Sequence, residues 1–215
     1  MLPPFLFEVA IGNRLGDRSL YTTKTKGSKI KLEQGRVNKD YLYHLFELYK
    51  GWTNYEKPYR YIPKVTKGTY TRGVIKSYSF RTITHPAFDK IYNFFICNGK
   101  KTYKEGLITN HLTSVGLSYW VRDDGSLQKN NEIILRTMGF TQKENIQIVE
   151  ELNRKFKLNS KVVCHKKKYW AIYIPASDAP TIRKHLVYLP ESIKYKMPLI
   201  KKGHRSLYLY IFIIH

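Results

Sequence analysis

The chain has 215 residues, 42% of them apolar, and its 38 Lys and Arg against 16 Asp and Glu give a formal charge of +22. That size and apolar content exclude a disordered polycation and call for a sizeable core. The charge calls for an anionic partner, with nucleic acid first, and the lack of a basic amphipathic helix with a broad apolar face speaks against a membrane surface.

The first predicted element is a helix over 4–16, led by Pro3 and Pro4 and ending near Gly16. Strands follow at Ser19–Thr23 and Lys29–Glu33, around the basic turn 24–28. Asn38 is placed to cap a helix to Lys50 that buries Tyr41, Leu42, Leu45, Phe46 and Leu48. Arg60–Val65 and Val74–Thr84 read as two more strands. Pro86 opens a helix over Ala87–Cys97, which Asn98-Gly99 stops. The second half repeats the order. It has a helix over 113–123, then strands at Ser126–Lys129 and Glu132–Thr137. Thr141 caps a helix to Lys155 with Ile146, Val149, Leu152 and Phe156 at helical spacing. Strands at Lys161–His165 and Tyr169–Ile174 come next, and Ser177 caps a last helix to Leu186. The unit αββαββα thus occurs twice, which predicts a duplicated α+β fold with antiparallel four-stranded sheets related by a pseudo-twofold axis. The expected division is 1–103, 104–198 and a tail, 199–215, whose apolar run 207–214 is too short to span a bilayer. No leader segment is read ahead of the first helix. Cys97 and Cys164 give no zinc spacing and no disulfide framework, and they read as buried, reduced thiols of a reducing compartment.

Two segments match across the halves. Phe5–Leu20 and Leu112–Leu127 each run as a mostly apolar helix into an acid, then Ser-Leu opening a strand. The acids, Asp17 and Asp124, lie half the chain length apart. Alone, either reads as a cap or turn residue. As a matched pair they suggest two carboxylates meeting on the pseudo-twofold axis, able to hold divalent cations for phosphodiester hydrolysis. Gly12, Gly16, Gly116 and Ser118 are small enough to let the two helices approach closely.

The basic strands and turns form the expected nucleic-acid surface. Lys24, Lys26, Lys29 and Lys31 share one hairpin, and Arg72, Lys76 and Arg81 another. Arg136, Lys161, His165, Lys166, Lys167 and Lys168 mark the second half. A sheet ribbon fits the major groove, where Arg and Lys read guanine.

Four strings carry a resemblance: Ile11-Gly-Asn-Arg-Leu-Gly-Asp17, His85–Thr102, Leu112-Thr-Ser-Val-Gly-Leu-Ser-Tyr-Trp-Val-Arg-Asp-Asp-Gly125, and Tyr195-Lys-Met-Pro198. They span residues 5–198, and the third is the most specific. With them the chain resembles the LAGLIDADG homing endonucleases in their single-chain, two-repeat form, and most of all the mitochondrial, intron-encoded members of the omega type. The resemblance implies a monomer whose sheets form a saddle on double-stranded DNA and whose acids cut both strands with Mg²⁺ or Mn²⁺. It implies catalytic roles for Asp17, Asp124, Lys101 and Lys196, and places Gly16 and Asp123 with the two acids around the metal. Synthesis in a mitochondrion or another organelle is implied, with a bacterial or phage source open. An RNA maturase that helps a group I intron splice is the alternative within the same family, and an inactive DNA-binding domain the third reading. Asn13, Arg14 and Arg18 depart from the family pattern, in which the helix is apolar or small and a Gly or Ala often follows the acid.

Overall fold

A computed structural model describes residues 1–16, 18–23, 26–63, 73–165, 169–187 and 196–198. The first repeat contains α1 (Pro4–Leu15), β1 (Ser19–Thr23), β2 (Gly27–Gly35), α2 (Lys39–Leu48), β3 (Tyr59–Tyr61), β4 (Ser77–Arg81) and α3 (Asp89–Phe95), followed by a two-residue pair β5 (Ile96–Cys97) and β6 (Lys100–Lys101). After the short α4 (Leu107–His111) come α5 (Ser114–Asp124), β7 (Gly125–Leu127), β8 (Ile133–Leu135), α6 (Gln142–Phe156), β9 (Lys161–His165), β10 (Tyr169–Ile174) and α7 (Ala179–His185).

Both four-stranded sheets are antiparallel and have the same order, β1-β2-β4-β3 and β7-β8-β10-β9, as a duplication requires. Strand alternation sends one face of each sheet to a helix and leaves the other open. In β2, Ser28, Ile30 and Leu32 turn inward. The apolar stripe of α2 (Leu42, Leu45, Phe46) covers Ile30, Leu32 and Phe80, with Phe46 edge-on to Phe80 at 5.3 Å. In the second repeat Ile148, Leu152 and Phe156 of α6 share the core with Ile133, Leu135, Ile172 and Ile174. The two cores are joined through α1 and α5, which are buried on nearly every side along their C-terminal halves. That all-round burial explains their weak amphipathicity.

Caps fix the helix starts. The Thr113 hydroxyl accepts from the Gly116 N–H at 3.3 Å, and Thr141 with Glu144 completes a reciprocal capping box on α6. Several local expectations are corrected. Asn38 does not cap α2 with its side chain, which donates to Gln34 Oε1 at 3.2 Å. Ser177 is exposed inside a 3-10 turn, and α7 starts at Ala179. Ile146 points to solvent, and α6 buries Asn145, Ile148 and Glu151 in its place. Cys97 and Cys164 are exposed, because their strands are short or lie at a sheet edge. Asn98-Gly99 does more than stop a helix. Both residues have positive φ, 50° and 73°, and they form the turn of the β5–β6 hairpin. No helix among the described residues is long and apolar enough to cross a membrane. The apolar run 207–214 lies outside the described residues.

Candidate active site at the helix ends

The contacts between α1 and α5 advance in the same direction along both helices. Glu8 Oε2 accepts from the Thr113 hydroxyl at 2.6 Å near their N-terminal ends. At the middle, Gly12 faces Gly116 so closely that an added Cβ would lie 2.0 Å from the Gly116 carbonyl oxygen. At the C-terminal end, a Cβ on Gly16 would lie 3.0 Å from the Asp123 Cβ and 3.2 Å from Asp124 Oδ2. The helices are therefore parallel, and the glycines let their backbones touch. The Asp124 carboxylate lies against Gly16, the residue that precedes Asp17 in the chain. Asp17 itself is outside the described residues.

At the adjoining C-terminal ends of α1 and α5, carboxylates such as those of Asp123 and Asp124 oppose the helix dipoles. The sequence supplies lysines to those ends. Lys101 Nζ donates to the main-chain oxygens of Leu15 at 3.2 Å and Gly16 at 2.7 Å, and also lies 4.5 Å from the centre of the Phe140 ring. The Asn98-Gly99 hairpin is what carries Lys101 back to the end of α1. In the second repeat Lys196 Nζ donates to the main-chain oxygen of Arg122, the position that matches Leu15. Burial lowers the Lys196 pKa, against the opposing pull of Asp123 and Asp124.

Asp123 has a different surrounding. Its carboxylate pairs with the Arg18 guanidinium and accepts from Asn13 Nδ2 at 2.9 Å and Gln34 Nε2 at 3.3 Å. Both of its carboxylate oxygens are thus engaged by protein donors. Burial works against the charge of Arg18, but the neighbouring Asp123 carboxylate outweighs it and the Arg18 pKa is raised. Asn13 and Arg18 departed from the expected helix pattern because they serve this contact. Arg14 is buried too; its guanidinium donates to the Arg18 carbonyl and lies 5.7 Å from the centre of the Phe95 ring. Behind Asp123, the buried Arg122 guanidinium stacks 4.3 Å from the Tyr41 ring and 4.9 Å from that of Tyr119. The Tyr119 hydroxyl meets His44 Nε2 at 2.7 Å.

A cavity of about 260 Å³ opens onto Asp124 and Asp123 and is lined by Arg18, Ser19, Lys31, Glu33 and Gln34. Sequence reasoning had not singled out Gln34 and Glu33. The signal for Glu33 was the alternation of β2, which puts Lys29, Lys31 and Glu33 on the open face, whereas Gln34 has the other parity and carried no such signal. The donors beside Asp124 are oxygens, a set that fits a hard divalent cation. No cluster of three or more His, Cys, Asp or Glu able to hold a metal occurs among the described residues.

The basic residues divide by location. Lys31 lies opposite Arg81 in the β2–β4 register and pairs with Glu33 at 2.6 Å. Lys29 lies opposite Tyr21 on the same face. Tyr59 and Tyr61 extend that face on β3, and Lys26 and Lys76 are exposed at its margins. In the second sheet Arg136 is exposed just after β8, its N–H donating to the Asp124 main-chain oxygen at 3.1 Å. Lys161 stacks 5.0 Å from the Tyr173 ring centre. His165 ends β9 opposite Tyr169. Lys24, Arg72, Lys166, Lys167 and Lys168 lie outside the described residues.

Comparison with known proteins gives a consistent picture. A model of the LAGLIDADG DNA endonuclease family matches residues 7–182. The chain is 34% identical, over 199 residues, to "Probable intron-encoded endonuclease 1" of Wickerhamomyces canadensis, covering 88% of this chain and 82% of that protein. It is 43% identical over 132 residues to "Probable intron-encoded DNA endonuclease 3" of Mycosarcoma maydis, covering 59% of this chain and 96% of that protein. It is 28% identical over 204 residues to the cytochrome b mRNA maturase bI2 of Saccharomyces cerevisiae, covering 89% of this chain and 47% of that protein. Among solved structures, the homing endonuclease I-WcaI bound to its DNA recognition sequence matches with a TM-score of 0.84 at 30% identity, covering 94% of this chain and 89% of that one.

Proposed function

The chain belongs to the LAGLIDADG DNA endonuclease family, and on that premise we propose that it is a site-specific homing endonuclease making metal-dependent double-strand breaks in a long DNA target. The observation that carries this reading is the Asp124 carboxylate packed against Gly16 at the meeting ends of two parallel helices, with Asp17 next in the chain. The carboxylates of Asp17 and Asp124, with the main-chain oxygens of Gly16 and Asp123, would hold Mg²⁺ or Mn²⁺, which when bound supplies Lewis-acid stabilisation at phosphorus and a more acidic water.

The chain's own groups do the rest. Lys101 and Lys196 neutralise the helix ends, where an ammonium would stabilise negative charge developing on a phosphate. Burial loosens the proton on Lys196, which suits it to proton exchange. The open face of the first sheet offers Lys29, Lys31 and Arg81 to the major groove, and Arg136 and Lys161 extend the contact in the second half. Both helix ends come from one chain, so a monomer supplies a complete centre for both strands. We place its synthesis in an organelle, in line with intron-encoded relatives and a relative that acts on cytochrome b mRNA.

The test is a cleavage selection on randomised DNA, followed by cutting of a plasmid carrying the selected site with Mg²⁺ and with EDTA. Cutting with Mg²⁺ and none in EDTA or by Asp124→Asn is expected. Full cutting by Asp124→Asn would refute the mechanism. The maturase relative supports a second reading, RNA-assisted splicing, which protection of group I intron RNA by the same protein would test.

A further inference from the structure

We propose that the buried Arg18–Asp123 ion pair is a positioning clamp that sets the relative placement of the two catalytic acids from one side only. The proposal rests on the endonuclease reading. Arg18 directly follows Asp17, and Asp123 directly precedes Asp124. The pair therefore joins the residue beside one acid to the residue beside the other, across the boundary between repeats.

The geometry is that of a fork and not of a chance surface contact. Arg18 Nε donates to Asp123 Oδ2 at 3.1 Å and Nη2 to Oδ1. Nη1 donates to the main-chain oxygen of Glu33 on β2. The side chains of Arg18 and Asp123 are only 6% and 3% exposed. Asn13 from α1 and Gln34 from β2 brace the same carboxylate. Two parallel donors fix the plane of a carboxylate as well as its distance, which a lysine cannot do.

The repeat relation places Gly16 opposite Asp123 and Gly125 opposite Arg18, so the matching pair on the other side has no side chains. Room for one is scant. A Cβ on Gly16 would press to 3.0 Å from the Asp123 Cβ and 3.2 Å from Asp124 Oδ2, and a Cβ on Gly125 would come within 2.3 Å of the Val121 oxygen. The clamp is thus asymmetric about the pseudo-twofold axis, and its loss disturbs the two cutting events to different extents.

Three variants separate positioning from mere stability. Arg18→Lys keeps the charge and loses the fork. Asp123→Asn keeps the shape and loses the charge. The double variant Arg18→Met/Asp123→Leu removes both charges, so no lone buried ion is left to unfold the protein. Each is assayed for thermal melting, for binding to the selected DNA in EDTA, and for single-turnover cleavage of each end-labelled strand with Mg²⁺. Unchanged DNA binding is expected for all three, with near wild-type melting for the double variant. Cleavage should fall by about tenfold to a hundredfold, as for a small misplacement of reacting groups, with a changed ratio between the strands. A double variant that cleaves both strands at wild-type rates, or a loss of DNA binding that parallels the loss of cleavage, would overturn the clamp. Wild-type protein that binds the DNA but never cuts it would overturn the endonuclease reading itself, and with it the role assigned here.

Discussion

Gly12→Ala is the sharpest perturbation of the helix crossing. The new Cβ would lie 2.0 Å from the Gly116 oxygen, 2.9 Å from its carbonyl carbon and 3.0 Å from the Tyr119 Cβ. Real Cβ atoms do not come within 3.0 Å of such atoms, so α1 and α5 must part by about 1 Å. The two nearest obstructing atoms are main chain and the third is a Cβ, so no rotamer change relieves them. A gap of that size forfeits about a quarter to a half of each dispersion contact along the crossing, and overpacking costs about 1–3 kcal/mol, occasionally more. Alanine returns about 1 kcal/mol through its helix propensity. Val9, Leu117 and Tyr119 beside the crossing are all fully buried, so the upper end of the overpacking range applies and the net loss is about 2 kcal/mol. For a chain of this size that lowers Tm by about 4–8 °C. Gly116→Ala differs: its nearest obstacle is Leu112 Cδ1 at 2.9 Å, a rotatable side-chain end, followed by the Glu8 oxygen at 3.0 Å. It should cost about 1 kcal/mol. Urea titration of both variants measures the ordering. A Gly12→Ala protein as stable as wild type, or a Gly116→Ala protein that is the less stable of the two, would refute the close crossing.

Further expectations follow from the same geometry. Lys101→Met removes the ammonium from the Leu15 and Gly16 oxygens and should slow single-turnover cleavage by about a hundredfold, as for loss of one preorganised donor, while binding in EDTA persists; unchanged cleavage would remove Lys101 from the machinery. His44 has its pKa lowered to about 4 by burial and then by the Arg122 charge. The unfolded chain therefore takes up this proton first as pH falls, and the contribution to stability, present above about 6.5, is lost between there and about 4. His44→Gln should flatten the stability profile in that window, and an unaltered profile would contradict the assignment. DNA affinity should fall by roughly a thousandfold or more between 50 and 200 mM salt if about 6–10 phosphates are contacted, and a flat response in a filter-binding titration would exclude a backbone-dominated interface.

The order of elements was readable because the pattern that makes a helix or strand is local. Both repeats showed their periodicity, and the cap at Thr141 announced α6. What escaped was decided by partners, near or far, that the periodic pattern does not name. Arg18 looked like a departure from the family because its counter-ion, Asp123, belongs to the other repeat. Asn38 was a plausible cap until the neighbouring Gln34 amide oxygen took its side chain. Asn98-Gly99 is a hairpin signal as well as a helix stop, and the strand pair that decides between them is only two residues long on each side. Ile146 was misplaced because Asn145 is buried in its stead, where it donates to the Phe140 and Thr141 oxygens. The Lys101 and Lys196 ammonium groups were picked out by short strings, yet their partners are main-chain oxygens, which no residue letter records.

Those main-chain contacts also explain how so basic a chain can keep a negative centre. Two parallel helices bring two sets of carbonyl oxygens to one point, and the sequence adds Asp123, Asp124 and, next to Gly16, Asp17. Uncompensated, that charge would push the helices apart. Arg18 answers Asp123, Lys101 answers the end of α1, and Lys196 answers the end of α5. Each cation comes from a different element, the β1 entry, the β6 hairpin and the segment after α7, so the helix ends meet only when both repeats are folded. The consequence is that the acids are assembled by tertiary structure and not by the helices alone. A fragment ending before Lys196 would leave the α5 carbonyls without that ammonium, and the repulsion at the crossing would fall on the pair of helices that joins the two cores.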